Sequence, residues 1–327
     1  MLLPGDDPES IQAGARRLAD GELLGLPTET VYGLAARADD DAAVAKIFAA
    51  KGRPSDHPLI VHVLDAAGAD PFAQHLPATA RRLMDAFWPG PLTVIVPRRA
   101  GVAQAAAGGQ ATIALRAPAH PVARAVLAAA RELGVQGIAA PSANRFGRVS
   151  PTLARHVVEE FSAGLLVLDG GACEVGIESS IVDCSRDRPA LLRPGLLSRP
   201  RIEAVLGEPL AEPDDAAPKA SGTLAAHYAP SARVRLLSAD RLALLFATAA
   251  ASGGLEGVAV YSRAPLPAWR WQALPVDPAL AAHELFVVLR ALDAAGAREI
   301  WVESPPRDPA WDGVRDRLGR AAAAFTD

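Results

Sequence analysis

Hydrophobic and polar positions alternate between two periods along most of this chain. Residues 8–20 carry apolar positions at helical spacing, and an apolar run at 23–26 then reads as a strand. The same reading predicts a helix over 41–50, a strand over 58–63 and a helix over 78–87. "PLTVIVP" (91–97) and "ATIALRA" (111–117) read as strands, 121–133 as a helix, "GIAA" (137–140) as a buried strand and 152–161 as a helix. Three short strands follow closely, at 165–169, 179–183 and 190–193. Mixed order of this kind predicts an α/β domain on an open, mixed sheet, not a strict doubly wound one. Residues 207–231, "GEPLAEPDDAAPKASGTLAAHYAPS", lose all periodicity and read as a linker. Beyond them the alternation restarts: strand 233–237, helix 239–251, strand 257–262, helix 279–295, strand 299–303, helix 311–324. That pattern predicts a smaller α/β unit over 232–327, with parallel strands joined by helices, after a domain over 1–206.

Composition narrows the class. The 327 residues suffice for two domains, and 50% hydrophobic with 21% charged residues mark a globular protein. A net charge of -4 argues against broad attraction to nucleic acid but leaves room for a local basic pocket. Cys173 and Cys184, the two cysteines, match no zinc or redox spacing and read as reduced thiols. The N-terminus lacks the basic and apolar regions of a signal peptide, and no apolar stretch approaches the roughly 20 residues that span a bilayer. The expectation is a soluble, cytoplasmic protein without membrane contact. Lysine is scarce: Lys46, Lys51 and Lys219 are the three among 33 basic residues. A lysine that persists where arginine is the norm hints weakly that arginine would not serve there.

Three stretches carry candidate chemistry. In "LPTETVYGLAARADDD" (26–41), an apolar approach breaks at Pro27 into two threonines, a carboxylate and a tyrosine on one strand-to-loop edge. In "VAKIFAAKGRPSDHPLIVHV" (44–63), Lys51 falls on the apolar stripe of Val44, Ile47 and Phe48, and Pro54 pushes Arg53 toward extended geometry. Lys51 and Arg53 can then converge on one anion; a snorkelling lysine beside a solvated arginine reads as well on this stretch alone. In "GIAAPSANRFGRVSPTLARHVVEEF" (137–161), Ser142 and Asn144 form a polar turn after a buried strand. Ser150 then reads as the N-cap of a helix with Pro151 at its first position, where phosphate could sit. An ordinary capped turn fits that stretch equally. There is no GxxxxGK[ST], GxGxxG, GxSxG or HExxH pattern, so P-loop, dinucleotide, serine-hydrolase and zinc chemistry lack support. His57 and His62, five apart, would face opposite sides of a continuous strand and make poor joint metal ligands.

Together these stretches resemble one family. "LPTETVYGLAARADDDAAVAKIFAAKGRPSDHPLIVHV", "FWPGPLTVIV", "TIALRAP", "APSANRFGRVSPT", "GIESSIVD" and "LLRPG" occur in the order of the YrdC-type threonylcarbamoyl-AMP synthases, over about residues 8 to 205. "SGTLAAHYAP" and "HELFVVLRALDAAGAREIWVE" are similar to the linker and C-terminal domain of the longer, two-domain form. The resemblance implies an open twisted sheet around a deep basic cavity, followed by a Rossmann-like domain. It implies a nucleotidyltransferase that takes L-threonine, bicarbonate and ATP to L-threonylcarbamoyladenylate and pyrophosphate. A downstream transferase would move the threonylcarbamoyl group to tRNA beside the anticodon. Mg²⁺ would arrive with ATP, with no metal ligand assigned to the protein.

Site residues follow from the same resemblance. Lys51 and Arg53 match the family's catalytic Lys-x-Arg pair, and Ser142 and Asn144 its Ser-x-Asn pair, both at the nucleotide. His57, Thr112, Ser150, Arg193 and His227 fall at further ATP-contacting positions, with His227 and Tyr228 of "HYAP" in a linker that would close over the cavity as a lid. Thr30, Tyr32, His62, Arg116, Ala140 and Ser180 match threonine-contacting positions, Arg116 as a fork on the substrate carboxylate. The chain departs from the family at His57, often asparagine, which would make a phosphate contact pH-dependent, and at Ser180, often threonine. Its linker lacks a Pro-Gly-Met-Lys form found in some relatives. Two other readings remain: a non-catalytic RNA-binding module with weak tRNA affinity, and a carbamoyl-transfer enzyme of hydrogenase maturation. The latter needs acylphosphatase and zinc-finger segments that two cysteines cannot supply.

Overall fold

The computed structural model describes residues 1–161 and 164–325. It divides into two compact units. The first spans Met1–Phe146 and Ser150–Thr223; the second comprises Gly147–Val149 and the chain from Leu224 onward.

The first unit runs β1 (Leu2–Pro4), α1 (Pro8–Ala19), β2 (Leu24–Leu26), β3 (Gly33–Arg37), α2 (Asp41–Lys51), β4 (Ile60–His62), α3 (Ala78–Phe87), β5 (Leu92–Pro97), β6 (Thr112–Arg116), α4 (Pro121–Glu132), β7 (Ile138–Ala139), α5 (Ala154–Glu160), β8 (Leu166–Asp169), β9 (Ser180–Asp183), β10 (Ala190–Arg193) and α6 (Arg199–Leu206). Its strands form one sheet in the order β1-β8-β2-β3-β7-β4-β6-β5-β9-β10. The pairing is mixed: β4 with β6 and β5 with β9 run parallel, while β2 with β3 and β5 with β6 run antiparallel. This is the mixed α/β sheet that the sequence predicts. One face packs against α1 and α4 through Leu18, Val126 and Leu168, and the other buries Ile47, Phe72, Leu83 and Ile202.

Local chemistry sets the helix that carries the first candidate residues. Asp40 accepts hydrogen bonds from the amides of Ala42 and Ala43, closing the start of α2, and Gly52 ends it at φ 63°, a left-handed position suited to glycine. The buried side of α2 is Ala43, Val44, Ile47, Phe48 and Lys51, so the lysine sits on the apolar stripe as the spacing predicts. Four elements escape the sequence pattern: β1, β3 and α6 here, and one strand of the second unit. Strand β3 reads "GLAAR", a poor strand sequence by propensity, and exists because β2 and β7 flank it on both edges. Strand 58–63 contracts to Ile60–His62, so His57 lies in the loop before it.

A larger correction concerns residues 150–152. Ser150 is not an N-cap, and the helix begins at Ala154. The carbonyl of Pro151 accepts from the Tyr32 amide at 2.8 Å and that of Thr152 from the Cys173 amide at 3.0 Å. Pairing with chains on both sides holds this segment extended, and the phosphate site proposed for that helix terminus loses its helix.

Residues 207–223, read above as linker, are held on the first unit. The Ala211 amide donates to the Pro189 carbonyl at 2.8 Å, and Lys219 Nζ reaches Asp56 at 2.8 Å. The second unit contains β11 (Arg233–Leu237), α7 (Ala239–Ala251), β12 (Val258–Ser262), β13 (Arg270–Ala273), α8 (Pro278–Ala294), β14 (Glu299–Glu303) and α9 (Asp312–Ala323). Its sheet, in the order β11-β14-β12-β13, is parallel throughout. The unpredicted β13 follows β12 without an intervening helix, so the expected helical crossovers hold for the other connections. Leu242, Phe246, Val260 and Trp301 form a core in this unit.

Candidate active site

In the first unit, side chains of the three sequence stretches meet in two buried clusters. The first centres on Lys51, 3% exposed at the C-terminus of α2, where the helix dipole favours a cation. Its ammonium donates to the carbonyl oxygens of Ser142 and Asn144, both at 2.5 Å, and its own carbonyl accepts from the Phe146 amide at 2.9 Å. The Lys-x-Arg and Ser-x-Asn stretches, 91 residues apart in sequence, are therefore stitched together by one side chain. Arg53 donates to the Pro58 carbonyl at 3.0 Å and reaches the Ser221 hydroxyl at 3.4 Å. Its guanidinium lies 5.8 Å from the Phe146 ring centroid, and the His57 ring meets the same phenyl edge-on at 5.5 Å. Burial, and then the neighbouring Arg53 charge, push the Lys51 ammonium well below its usual range, against opposing pulls from Glu160 and Glu178. Burial followed by Arg53 also lowers His57, which favours its neutral form.

Arg193 belongs to this side. It is 2% exposed, donates through Nε and Nη2 to the Ser179 carbonyl at 3.1 and 2.9 Å, and through Nη1 to the Ser221 carbonyl at 2.8 Å. Ser221 thus touches Arg53 with its hydroxyl and Arg193 with its carbonyl. Thr112 is half-buried at the start of β6, on the same strand face as Arg116 because four residues separate them.

The second cluster is ion-paired. Strand register sets His62 of β4 opposite Arg116 of β6. Arg116 Nε donates to the Gly90 carbonyl at 3.2 Å, Nη1 donates to Thr30 Oγ1 at 2.8 Å, and Nη2 lies 2.6 Å from Glu29 Oε1. Gly90 can present that carbonyl because a Cβ there would meet the Phe87 oxygen at 2.4 Å. Thr28 Oγ1 and Thr30 Oγ1 share a hydrogen bond of 2.9 Å, and Thr28 also donates to the Val31 carbonyl at 2.6 Å. Hydroxyls and a carboxylate on this edge thus aim a buried arginine, Thr30 by a hydrogen bond and Glu29 by charge. Burial and the Arg116 charge depress His62 to about 3, so its imidazole is neutral. Burial pushes Glu29 upward, but Arg116 outweighs it and holds the carboxyl below its usual range. Ala140 is 8% exposed and donates its amide to the Ile60 carbonyl at 3.1 Å.

"GIESS" is held by hydrogen bonds of its own. Glu178 Oε1 accepts from Ser150 Oγ at 2.5 Å, Ser179 Oγ shares a hydrogen bond of 2.8 Å with Thr93 Oγ1, and Ser180 Oγ donates to the Leu197 carbonyl at 2.8 Å. "LLRPG" closes over this strand start through Gly195, where a Cβ would fall 2.5 Å from the Ser180 nitrogen.

Two other predicted positions make contacts of their own. Tyr32 is fully buried, and its hydroxyl donates to the Gly171 carbonyl at 2.8 Å and accepts from the Gly170 amide at 3.1 Å, which commits it to that turn. His227 belongs to the second unit, where its ring meets Tyr228 edge-on at 4.1 Å. Sequence reasoning missed Phe146 and Ser221 at the cation cluster and Glu29 as the Arg116 partner. Phe146 lies within a flagged stretch, and Ser221 opens the quoted "SGTLAAHYAP" linker, whose aperiodicity gave no sign that it meets the cations. Among the described residues no group of three or more histidine, cysteine, aspartate or glutamate side chains is placed to hold a metal. No described helix is long and apolar enough to cross a membrane.

A mixed sheet that buries one cation cluster and one ion-paired, hydroxyl-lined cluster is the architecture of an α/β protein equipped to hold charged ligands. A family model described as telomere recombination matches residues 16–195, and one described as the C-terminal domain of threonylcarbamoyl-AMP synthase matches residues 197–323. Threonylcarbamoyl-AMP synthase of Pyrococcus abyssi is 43% identical over 238 residues, 71% of this chain and 68% of that protein. The Bacillus subtilis protein of that name is 42% identical over 237 residues, 70% and 67% of the two chains. The crystal structure of P. abyssi Sua5 complexed with L-threonine superposes with a TM-score of 0.87 at 37% identity, covering 96% of this chain and 94% of that one. This chain belongs to the threonylcarbamoyl-AMP synthase family.

Proposed function

We propose that this chain forms L-threonylcarbamoyladenylate and pyrophosphate from L-threonine, bicarbonate and ATP, with the ion-paired cluster holding the amino acid and the cation cluster the nucleotide. The threonine ammonium first gives a proton to solvent; the neutral amine then attacks the bicarbonate carbon, and hydroxide leaves with the second amine proton as water, giving a carbamate. A carbamate oxygen then attacks the α-phosphorus of ATP, and the bond to the pyrophosphate oxygen breaks. Negative charge grows on the phosphoryl oxygens and on the leaving group, so fixed cations supply the stabilisation. Lys51 and Arg53 take that role, Asn144 and Ser142 line the nucleotide, and Arg193 steadies the Ser179–Ser180 segment between the two substrates. Arg116 takes the threonine carboxylate, and neutral His62 offers a hydrogen bond without adding charge. Mg²⁺ would enter with the ATP phosphates and neutralise part of their charge.

The observation that carries the reading is the Lys51 ammonium, buried and fixed on the Ser142 and Asn144 carbonyls. An ammonium whose charge is suppressed by burial regains it when a polyphosphate arrives. An RNA-binding surface would need exposed cations, yet Lys51, Arg53, Arg116 and Arg193 are 3, 8, 3 and 2% exposed. We place the product upstream of a tRNA threonylcarbamoyl-transferase and the protein in the cytoplasm.

Pyrophosphate release with Mg²⁺, omitting threonine or bicarbonate in turn, tests the proposal together with mass spectrometry of the nucleotide product. Release that needs both co-substrates, with a threonylcarbamoyl-adenylate mass, is expected. Turnover indifferent to threonine would refute it.

A further inference from the structure

Glu29 and Arg116 form a buried ion pair whose hydrogen bonds are not completed. Their side chains are 6 and 4% exposed, and 2.6 Å separates Oε1 from Nη2. Among the described residues, neither Glu29 oxygen nor Arg116 Nη2 completes a hydrogen bond of good geometry. The amides of Glu29 and Ala119 lie close enough to favour the carboxylate charge, but they do not saturate it. Nε and Nη1 of Arg116 are fixed by Gly90 and Thr30, so the guanidinium cannot swing away and its Nη2 edge stays presented. The two groups meet by charge at this distance, but each atom left without a well-aligned partner is costly in a low dielectric, so a ligand that supplies such partners is bound favourably.

We propose that Glu29 and Arg116 are one zwitterion clamp, in which Glu29 receives the α-ammonium of the amino-acid substrate and Arg116 its carboxylate. The proposal rests on the reading of this cluster as the threonine site and goes beyond it by assigning the second charge of the substrate. A pair of net zero charge fits a ligand of net zero charge whose ends have opposite sign. Entry of an amino acid turns one buried ion pair into two, each with a full complement of donors and acceptors. A ligand with only one of the two charges leaves Glu29 or Arg116 uncompensated. Glu29 is ionised and held below the usual carboxylate range, so it orients the ammonium and is a poor acceptor for its proton. Thr30 belongs to the same clamp as the hydroxyl that fixes the Nη1 side of the arginine. His62, facing the pair from β4, is neutral and leaves the balance of charge undisturbed.

The test is calorimetric titration of the full chain and of Glu29→Gln with L-threonine and with 2,3-dihydroxybutyrate, which replaces the ammonium by a hydroxyl. The wild type should prefer threonine by about 30-fold or more, the scale for stranding a buried charge. Glu29→Gln should weaken threonine until the preference falls below about 3-fold, with the KM for ATP unchanged. Equal weakening of both ligands would overturn the clamp and leave Glu29 as a support for Arg116 alone. A wild type that does not discriminate the two ligands would overturn it without any variant, even if Glu29→Gln fails to fold. Should the wild type reject threonine but bind another amino acid with the same discrimination against its hydroxy acid, the substrate reading falls and the clamp stands.

Discussion

Lys51 and Arg116 are both 3% exposed, yet the protein keeps their charges in opposite ways. Arg116 lies 2.6 Å from a carboxylate and is bonded to a threonine hydroxyl and a carbonyl, so its cluster is balanced before any ligand arrives. Lys51 donates to two carbonyl oxygens, with another cation, Arg53, opposing its charge. The balanced cluster suits a zwitterion, and the cluster of adjacent cations suits a polyanion. Strand β6 carries Thr112 at one end and Arg116 at the other, about 13 Å apart along the strand.

The comparison breaks most sharply at Lys51. Lys51→Ala should reduce pyrophosphate release by at least about 1,000-fold, because it removes the cation nearest the proposed phosphates. Thermal melting should fall as well, since the Ser142 and Asn144 carbonyls lose their donor, so turnover is compared well below the melting transition. Retained turnover in a folded variant would sink the assignment. At Arg116 the loss should be selective. Arg116→Lys replaces a fork by a point charge, and the KM for threonine should rise about 30-fold, near 2 kcal/mol, while that for ATP stays within about 3-fold. Equal losses for both substrates would show that the two clusters are not separate.

How far the sequence could be read follows the same division. Lys51 was legible because helical periodicity put a lysine on an apolar stripe, and a charged residue there has to be held by something. The mixed sheet was legible because most of its strands are short apolar runs bounded by turn residues. Strand β3 was not, since "GLAAR" owes its strand to β2 and β7, and a partner strand is invisible to local propensity. Ser150 was misread for a related reason: Ser-Pro is a good helix start, but carbonyls already paired to Tyr32 and Cys173 override it. The Glu29–Arg116 pair spans 87 positions, and nothing in either stretch alone points to the other. Order-dependent motifs brought both residues to notice; only the fold paired the charges.

His62 sharpens what balanced means in the amino-acid cluster. Its folded-state value is about 3, against an ordinary 6.5. Between those values the unfolded chain binds a proton at this imidazole that the folded chain does not. Stability is therefore full above about pH 6.5 and falls as the pH drops, by up to about 1.4 kcal/mol per pH unit. Glu29, depressed from 4.5, loses its contribution only at lower pH, but His57 and His120 are also lowered from 6.5 and add slopes of the same sign, so urea unfolding between about pH 6.5 and 5 reads His62 as the difference between the wild type and His62→Gln. His62→Gln should make that slope shallower without abolishing it. A slope unchanged by the substitution would mean that the imidazole is charged in the folded protein, and the neutrality of the cluster would be lost.

The smallest effect tests whether the cation cluster is organised by more than its motif residues. Ser221 sits in the aperiodic segment after α6, yet its hydroxyl lies 3.4 Å from Arg53 and its carbonyl accepts from Arg193 at 2.8 Å. Ser221→Ala removes the first contact and preserves the second, because the carbonyl belongs to the backbone. At 3.4 Å the hydrogen bond is long, and such a bond contributes about 0.5–1 kcal/mol. The KM for ATP should then rise about 2- to 5-fold, with the KM for threonine unchanged. Ser221→Pro, which restrains the same backbone, should cost more if the carbonyl to Arg193 is the important link. If alanine raises both KM values together, Ser221 supports the segment as a whole, and the nucleotide cluster ends at Arg193.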